Sequence, residues 1–136
     1  MDNLERENTV LSLRQCSHKP GVDAADWYKV KDSLIILAKF TMIFCKENNL
    51  PLLFTSIIRP KIPKVSKSRT HEQGRAFDIS VRGWAKDDVI RFVTKINASF
   101  KLGAVSATDG TEREAIYEDG ISAGKGAHLH IQCRPD

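Results

Sequence analysis

A chain of 136 residues with 41% hydrophobic and 28% charged side chains has the size and balance of one globular domain that buries its own core. Its net charge of +4 fits plain solubility or attraction to a polyanion. No stretch of about 18 apolar residues exists to span a membrane, and the polar first twenty residues cannot form the apolar core of a secretory signal.

The expectation is a single domain over residues 1–136, monomeric, with no membrane association. It is made and kept in the cytoplasm unless something other than a signal peptide releases it. Cys16, Cys45 and Cys133 are odd in number and widely spaced, which argues against a disulfide framework and for buried structural thiols.

Residues 1–20 are polar apart from Val10, Leu11 and Leu13 and read as either an arm or a short helix. Pro20-Gly21 is a break. Asp23 then stands as a cap, with Asp26 in the first turn. Trp27, Val30, Leu34 and Leu37 repeat at helical spacing, and Ile36, Phe40, Ile43 and Phe44 widen the apolar face, predicting one long helix over 24–47. Asn48-Asn49 and Pro51 end it.

Leu52–Ile58 is short, apolar and partly β-branched, a buried strand that delivers Arg59 to its end. Residues 60–68 read as a surface loop, and Ala76–Val81 as a second strand. Gly83 breaks that strand. Val89, Phe92, Val93 and Ile96 then follow at i, i+3, i+4, i+7, predicting a helix over 85–98. Residues 101–107 read as a strand, 108–110 as a turn, and 111–126 show no strong periodicity. His128–Cys133 alternates polar and apolar, a last strand. The predicted architecture is α+β: an antiparallel sheet with a long N-terminal helix and a second helix packed on it.

Two stretches carry chemistry. The first runs from Ser68 to Ser80 and places His71 and Asp78 seven residues apart, with Gly74 between them. Glycine tolerates the turn such spacing needs. A carboxylate between Phe77 and Ile79 in a strand costs several kcal/mol unless it is paired or bound to a metal. The plain alternative is that Asp78 pairs with Arg75 and His71 lies on the surface. In the second stretch, alternation with Leu129 and Ile131 puts His128 and His130 on one strand face. Histidine, carboxylate and histidine are what a catalytic Zn²⁺ needs, with a fourth position open to water.

Together these stretches resemble the zinc site of the D-Ala-D-Ala carboxypeptidase and L-Ala-D-Glu endopeptidase family, which cuts the peptide stems of bacterial peptidoglycan and is related to the hedgehog signalling domain. The family's first motif has the form Ser-x-His-x-x-Gly-x-Ala-x-Asp. His71, Gly74, Ala76 and Asp78 match it, while Ser68 stands one place further upstream than usual. The resemblance covers roughly residues 52–134 and implies a hedgehog/DD-peptidase-like fold with Zn²⁺ held by His71, Asp78 and His130. It gives His128 a proton-transfer role and makes Arg59 the group that polarises the substrate carbonyl.

One departure matters. Many family members carry a Glu or Asp three residues before the last ligand, and here that position is Ala127. Either His128 moves the proton, or a carboxylate such as Glu118 or Asp119 reaches in from the preceding loop, or the chain holds zinc without cleaving anything. The expected activity is metal-assisted amide hydrolysis of peptidoglycan stem peptides, as in the compact lytic enzymes of bacteriophages, released by lysis or carried in the virion. A polyanionic cell wall suits the basic residues Lys61, Lys64, Lys67, Arg69, Arg75 and Arg82 around the first motif. Two rivals are a zinc-holding but inactive binding module and a basic nucleic-acid binder. No nucleic-acid motif favours the latter, and a nucleic-acid partner is not expected.

Overall fold

The computed structural model describes residues 1–58, 73–100, 115–118 and 127–133. Helix α1 spans Asn3–Arg14, with the Asp2 side chain accepting the Glu5 N–H at 2.8 Å as its cap. The open choice for the N-terminus resolves into a helix, seated through Thr9, Val10 and Leu13. A two-residue strand β1 (Ser17–His18) follows, then a 3-10 turn (Ala24–Lys29) and helix α2 (Asp32–Glu47). Strand β2 is Leu53–Ser56, β3 is Ala76–Ser80, α3 is Lys86–Ser99, β4 is Ala115–Glu118 and β5 is His128–Gln132.

The single helix expected over 24–47 is broken. Asp23 caps its first piece as anticipated, accepting the Ala25 N–H at 2.9 Å. Val30 and Lys31 are extended, and α2 starts afresh behind them. Contacts distant in sequence explain the break. The Lys31 N–H donates to the Gly74 carbonyl at 3.0 Å, and Arg6 from α1 donates to the carbonyls of Val30 and Tyr28 at 2.8 and 3.2 Å. Helical hydrogen bonding is exchanged for tertiary bonding, which local periodicity does not register. Gly74 has φ +67°, and a Cβ there would lie 3.1 Å from the Lys29 carbonyl oxygen and 3.3 Å from the Val30 Cα. The glycine of the first motif is thus fitted into the gap between the 3-10 turn and α2.

The strands form one sheet in the order β1-β2-β3-β5-β4. The pairs β2–β3, β3–β5 and β5–β4 are antiparallel, whereas β1 pairs with β2 in parallel. The sheet is therefore mixed rather than wholly antiparallel. The chain returns from β1 to β2 through the 3-10 turn and α2, the long crossover that a parallel neighbour requires. Strand β4 lies in the segment that lacks periodicity, while the strand expected over 101–107 lies outside the described residues.

The core occupies one face of the sheet. Phe54, Phe77, Ile79, Leu129 and Ile131 meet Val10 and Leu13 of α1, Leu34, Ile35, Leu37 and Phe44 of α2, and Val89, Phe92 and Ile96 of α3. Trp27 packs edge-on against Phe54 and Phe77 with ring centroids at 4.9 and 5.5 Å. Full burial of such side chains is worth about 1.5–3 kcal/mol each. Ile43, expected on the apolar face of α2, is instead exposed. Among the described residues no helix is long and apolar enough to cross a membrane.

Candidate functional site

The opposite face of the same strands is polar. Register sets Asp78 of β3 directly opposite His130 of β5, Ser80 opposite His128, and Ala76 opposite Gln132. Directly opposed residues share a face, so Asp78, His128, His130 and Gln132 lie together. The expected common face of the two histidines is present. On the other flank, a bulge in β2 sets Phe54 against Ile79 but Ser56 against Asp78. Without it Phe54 and Ser56 would point the same way. With it Phe54 enters the core and Ser56 joins the polar face, a re-aiming that bulges commonly perform beside functional sites.

Asp78 and His130 are 7% and 8% exposed. Their contact is direct: His130 Nδ1 lies 2.9 Å from Asp78 Oδ1, and the other ring nitrogen, Nε2, lies 3.1 Å from Gln132 Oε1. Both ring nitrogens therefore face acceptor oxygens. An arrangement of that kind is satisfied by positive charge, either an imidazolium with both nitrogens protonated or a cation shared by Nδ1 and the carboxylate. A buried carboxylate is costly unless it is paired or bound to a metal. Arg75 is engaged elsewhere: its Nε donates to Gln73 Oε1 at 2.6 Å and its guanidinium to the Cys133 carbonyl at 2.8 Å.

Nitrogen and carboxylate oxygen are the donor types zinc takes, at about 2.0–2.2 Å. Two such ligands on one tetrahedral ion stand about 3.3 Å apart, so the 2.9 Å pair needs to open by only a few tenths of an ångström. The donor set fits. Among the described residues no three His, Cys, Asp or Glu side chains converge; Asp78 and His130 are two of the three expected ligands. His71, the third, and Arg59, the expected carbonyl-polarising group, lie outside the described residues, as does Asp119.

Two of the proton-transfer candidates stand opposite each other in strand register. His128 is half-buried at the start of β5. Glu118, expected on a loop, is instead the last residue of β4, in register opposite His128. Ala127 packs against the hydrophobic core, so the position three before His130 offers no proton carrier. The fourth histidine belongs to the scaffold. His18 Nε2 accepts from the Trp27 indole at 2.9 Å, and its Nδ1 lies 2.8 Å from the Cys16 carbonyl. An indole only donates, so His18 is neutral with its proton on Nδ1.

Cys45 is held away from such chemistry. Burial and the nearby Cys16 push the Cys45 thiol up to about 12, which keeps it from acting as a thiolate nucleophile. Periodicity did not single out Gln132 or Ser56. The signal for Gln132 was its place two residues after His130, on the same strand face; for Ser56 there was none, because a bulge inverts the alternation. Compared with protein-family models, with curated proteins and with solved structures, the chain matches none.

Proposed function

We propose that the chain is a zinc-dependent peptidase that hydrolyses amide bonds in peptidoglycan stem peptides, with a hedgehog/DD-peptidase-like arrangement of its sheet. The observation that carries this reading is the buried Asp78–His130 pair, opposed across β3 and β5 with His128 two residues along the same strand face. Agreement with the family's first motif at His71, Gly74, Ala76 and Asp78 supports the choice of substrate.

Asp78, His130 and His71 would hold the ion. When bound, Zn²⁺ supplies Lewis acidity and a water acidified to a pKa of about 7. His128 would take a proton from the attacking water on its imidazole and return it to the leaving amine nitrogen. Glu118, across the strand pair, is the alternative carrier. Arg59 donates to the oxyanion that develops on the scissile carbonyl, a contact of about 3–4 kcal/mol.

The test is metal content by mass spectrometry on the purified protein and on His130→Ala, followed by digestion of purified peptidoglycan. One zinc per chain, lost in the variant, with release of stem peptides supports the enzyme. Absence of metal after zinc is supplied removes it. A second reading, a zinc-holding but inactive wall-binding or virion module, is favoured by Ala127 and its packing against the core. Zinc with no turnover selects it.

A further inference from the structure

Gln132 is 2% exposed and has no role in the chemistry above. It follows His130 by two positions on β5 and lies opposite the fully buried Ala76 of β3. Its Oε1 is 3.1 Å from His130 Nε2, while Nδ1 of the same ring lies 2.9 Å from Asp78 Oδ1. With Oε1 turned toward the ring, as it stands here, the amide accepts, and the contact is made by a proton on Nε2. A second proton on Nδ1 would make the ring an imidazolium that donates to Asp78; a neutral ring with the proton on Nε2 alone carries its lone pair on Nδ1, toward a carboxylate oxygen that is itself an acceptor. Two acceptors so close repel each other, and a cation between them turns the repulsion into two bonds.

We infer that Gln132 is a positioning residue: its side-chain oxygen selects the Nε2–H form of His130 and so presents Nδ1, beside Asp78 Oδ1, to the metal ion. The inference rests on the zinc reading of the site. It gives the ligand histidine the outer partner that such histidines need to hold their tautomer and ring plane. Burial strengthens the constraint, because a buried amide turned away from its partner loses a hydrogen bond with no water to replace it. The assignment also fixes which ring nitrogen binds.

The experiment compares wild type with Gln132→Leu, which keeps bulk and removes the acceptor, and with Gln132→Glu, which keeps an acceptor oxygen. Zinc affinity is read by competition with a chromophoric chelator, and the His130 ring by ¹⁵N NMR of the zinc-loaded protein. The expected wild-type spectrum has a metal-bound Nδ1 and a protonated, slowly exchanging Nε2. Gln132→Leu should bind zinc about 10–100-fold more weakly, and Gln132→Glu should restore binding, which a purely space-filling role does not explain. Metal on Nε2, or a Gln132→Leu variant that binds zinc as wild type does, overturns the inference and leaves the zinc site standing. Should Gln132→Leu not fold, the wild-type ring spectrum decides alone. A wild-type protein that binds no zinc removes the zinc reading and this inference together.

Discussion

Strands β3 and β5 do two different jobs with alternate residues. Phe77, Ile79, Leu129 and Ile131 face the helices, while Asp78, His130 and Gln132, interleaved with them, face the other way. Both sets are buried, so burial does not distinguish them; what they are buried against does. The apolar face gains from leaving water, in proportion to area. The polar face loses from it unless every charge finds a partner. A five-residue strand thus carries part of the apolar core and part of a buried polar cluster, separated only by the pleat. Substitutions on one face should be read out in stability, and on the other in binding and turnover.

The sharpest break in that division is Phe77→Ala. Removing a fully buried ring that touches Trp27 and Phe54 should cost about 3–5 kcal/mol, measured by denaturant unfolding, with zinc affinity of the folded fraction unchanged. A direct loss of affinity in still-folded protein would show that the faces are not independent. On the polar face, Asp78→Asn should leave the fold cooperative, destabilised by about 1–3 kcal/mol, yet abolish zinc binding in a chelator competition. Full zinc stoichiometry in that variant would sink the site.

Gly74→Ala tests the seam between the two regions. A left-handed φ and a Cβ against the Lys29 carbonyl should together cost about 1–3 kcal/mol, and the loss should appear as reduced hydrogen-exchange protection at Lys31. His128→Ala should keep zinc while losing turnover; undiminished activity would hand the proton to Glu118. An effect that shows only at alkaline pH concerns the core alone. The folded state holds Cys45 as a thiol up to about 12 against a reference of 9.0. The unfolded chain therefore ionises first, and stability drains as pH rises from about 9 toward 12. The Tm gap between wild type and Cys45→Ala should narrow over that window, and a constant gap would mean Cys45 titrates normally in the fold.

Much of this division was legible in the sequence. Alternation through His128-Leu129-His130-Ile131 gave the common face of the histidines, and the apolar neighbours of Asp78 placed it in a strand. The helical spacing of Val89, Phe92 and Ile96 located α3 to within a residue at each end. What stayed hidden was set by partners far along the chain. Lys31 leaves the helix because Gly74, remote in sequence, takes its N–H. Ser56 faces Asp78 because of a bulge, and the parallel partner of β2 is a strand of two residues. Gln132 looked like one more residue of an alternating strand; only the ring nitrogen beside it gives it a task.

The direct opposition of Asp78 and His130, contributed by strands 52 positions apart in sequence, has a consequence for how the molecule assembles. A slip of one residue between β3 and β5 would set His130 against Phe77 or Ile79 and turn the two side chains to opposite sides of the sheet. A cation held by the pair therefore binds only the correctly aligned strands and lowers that one alignment relative to its neighbours by mass action. The ion would act as a proofreader of strand alignment, and β5, made after β3, would be the strand it locks.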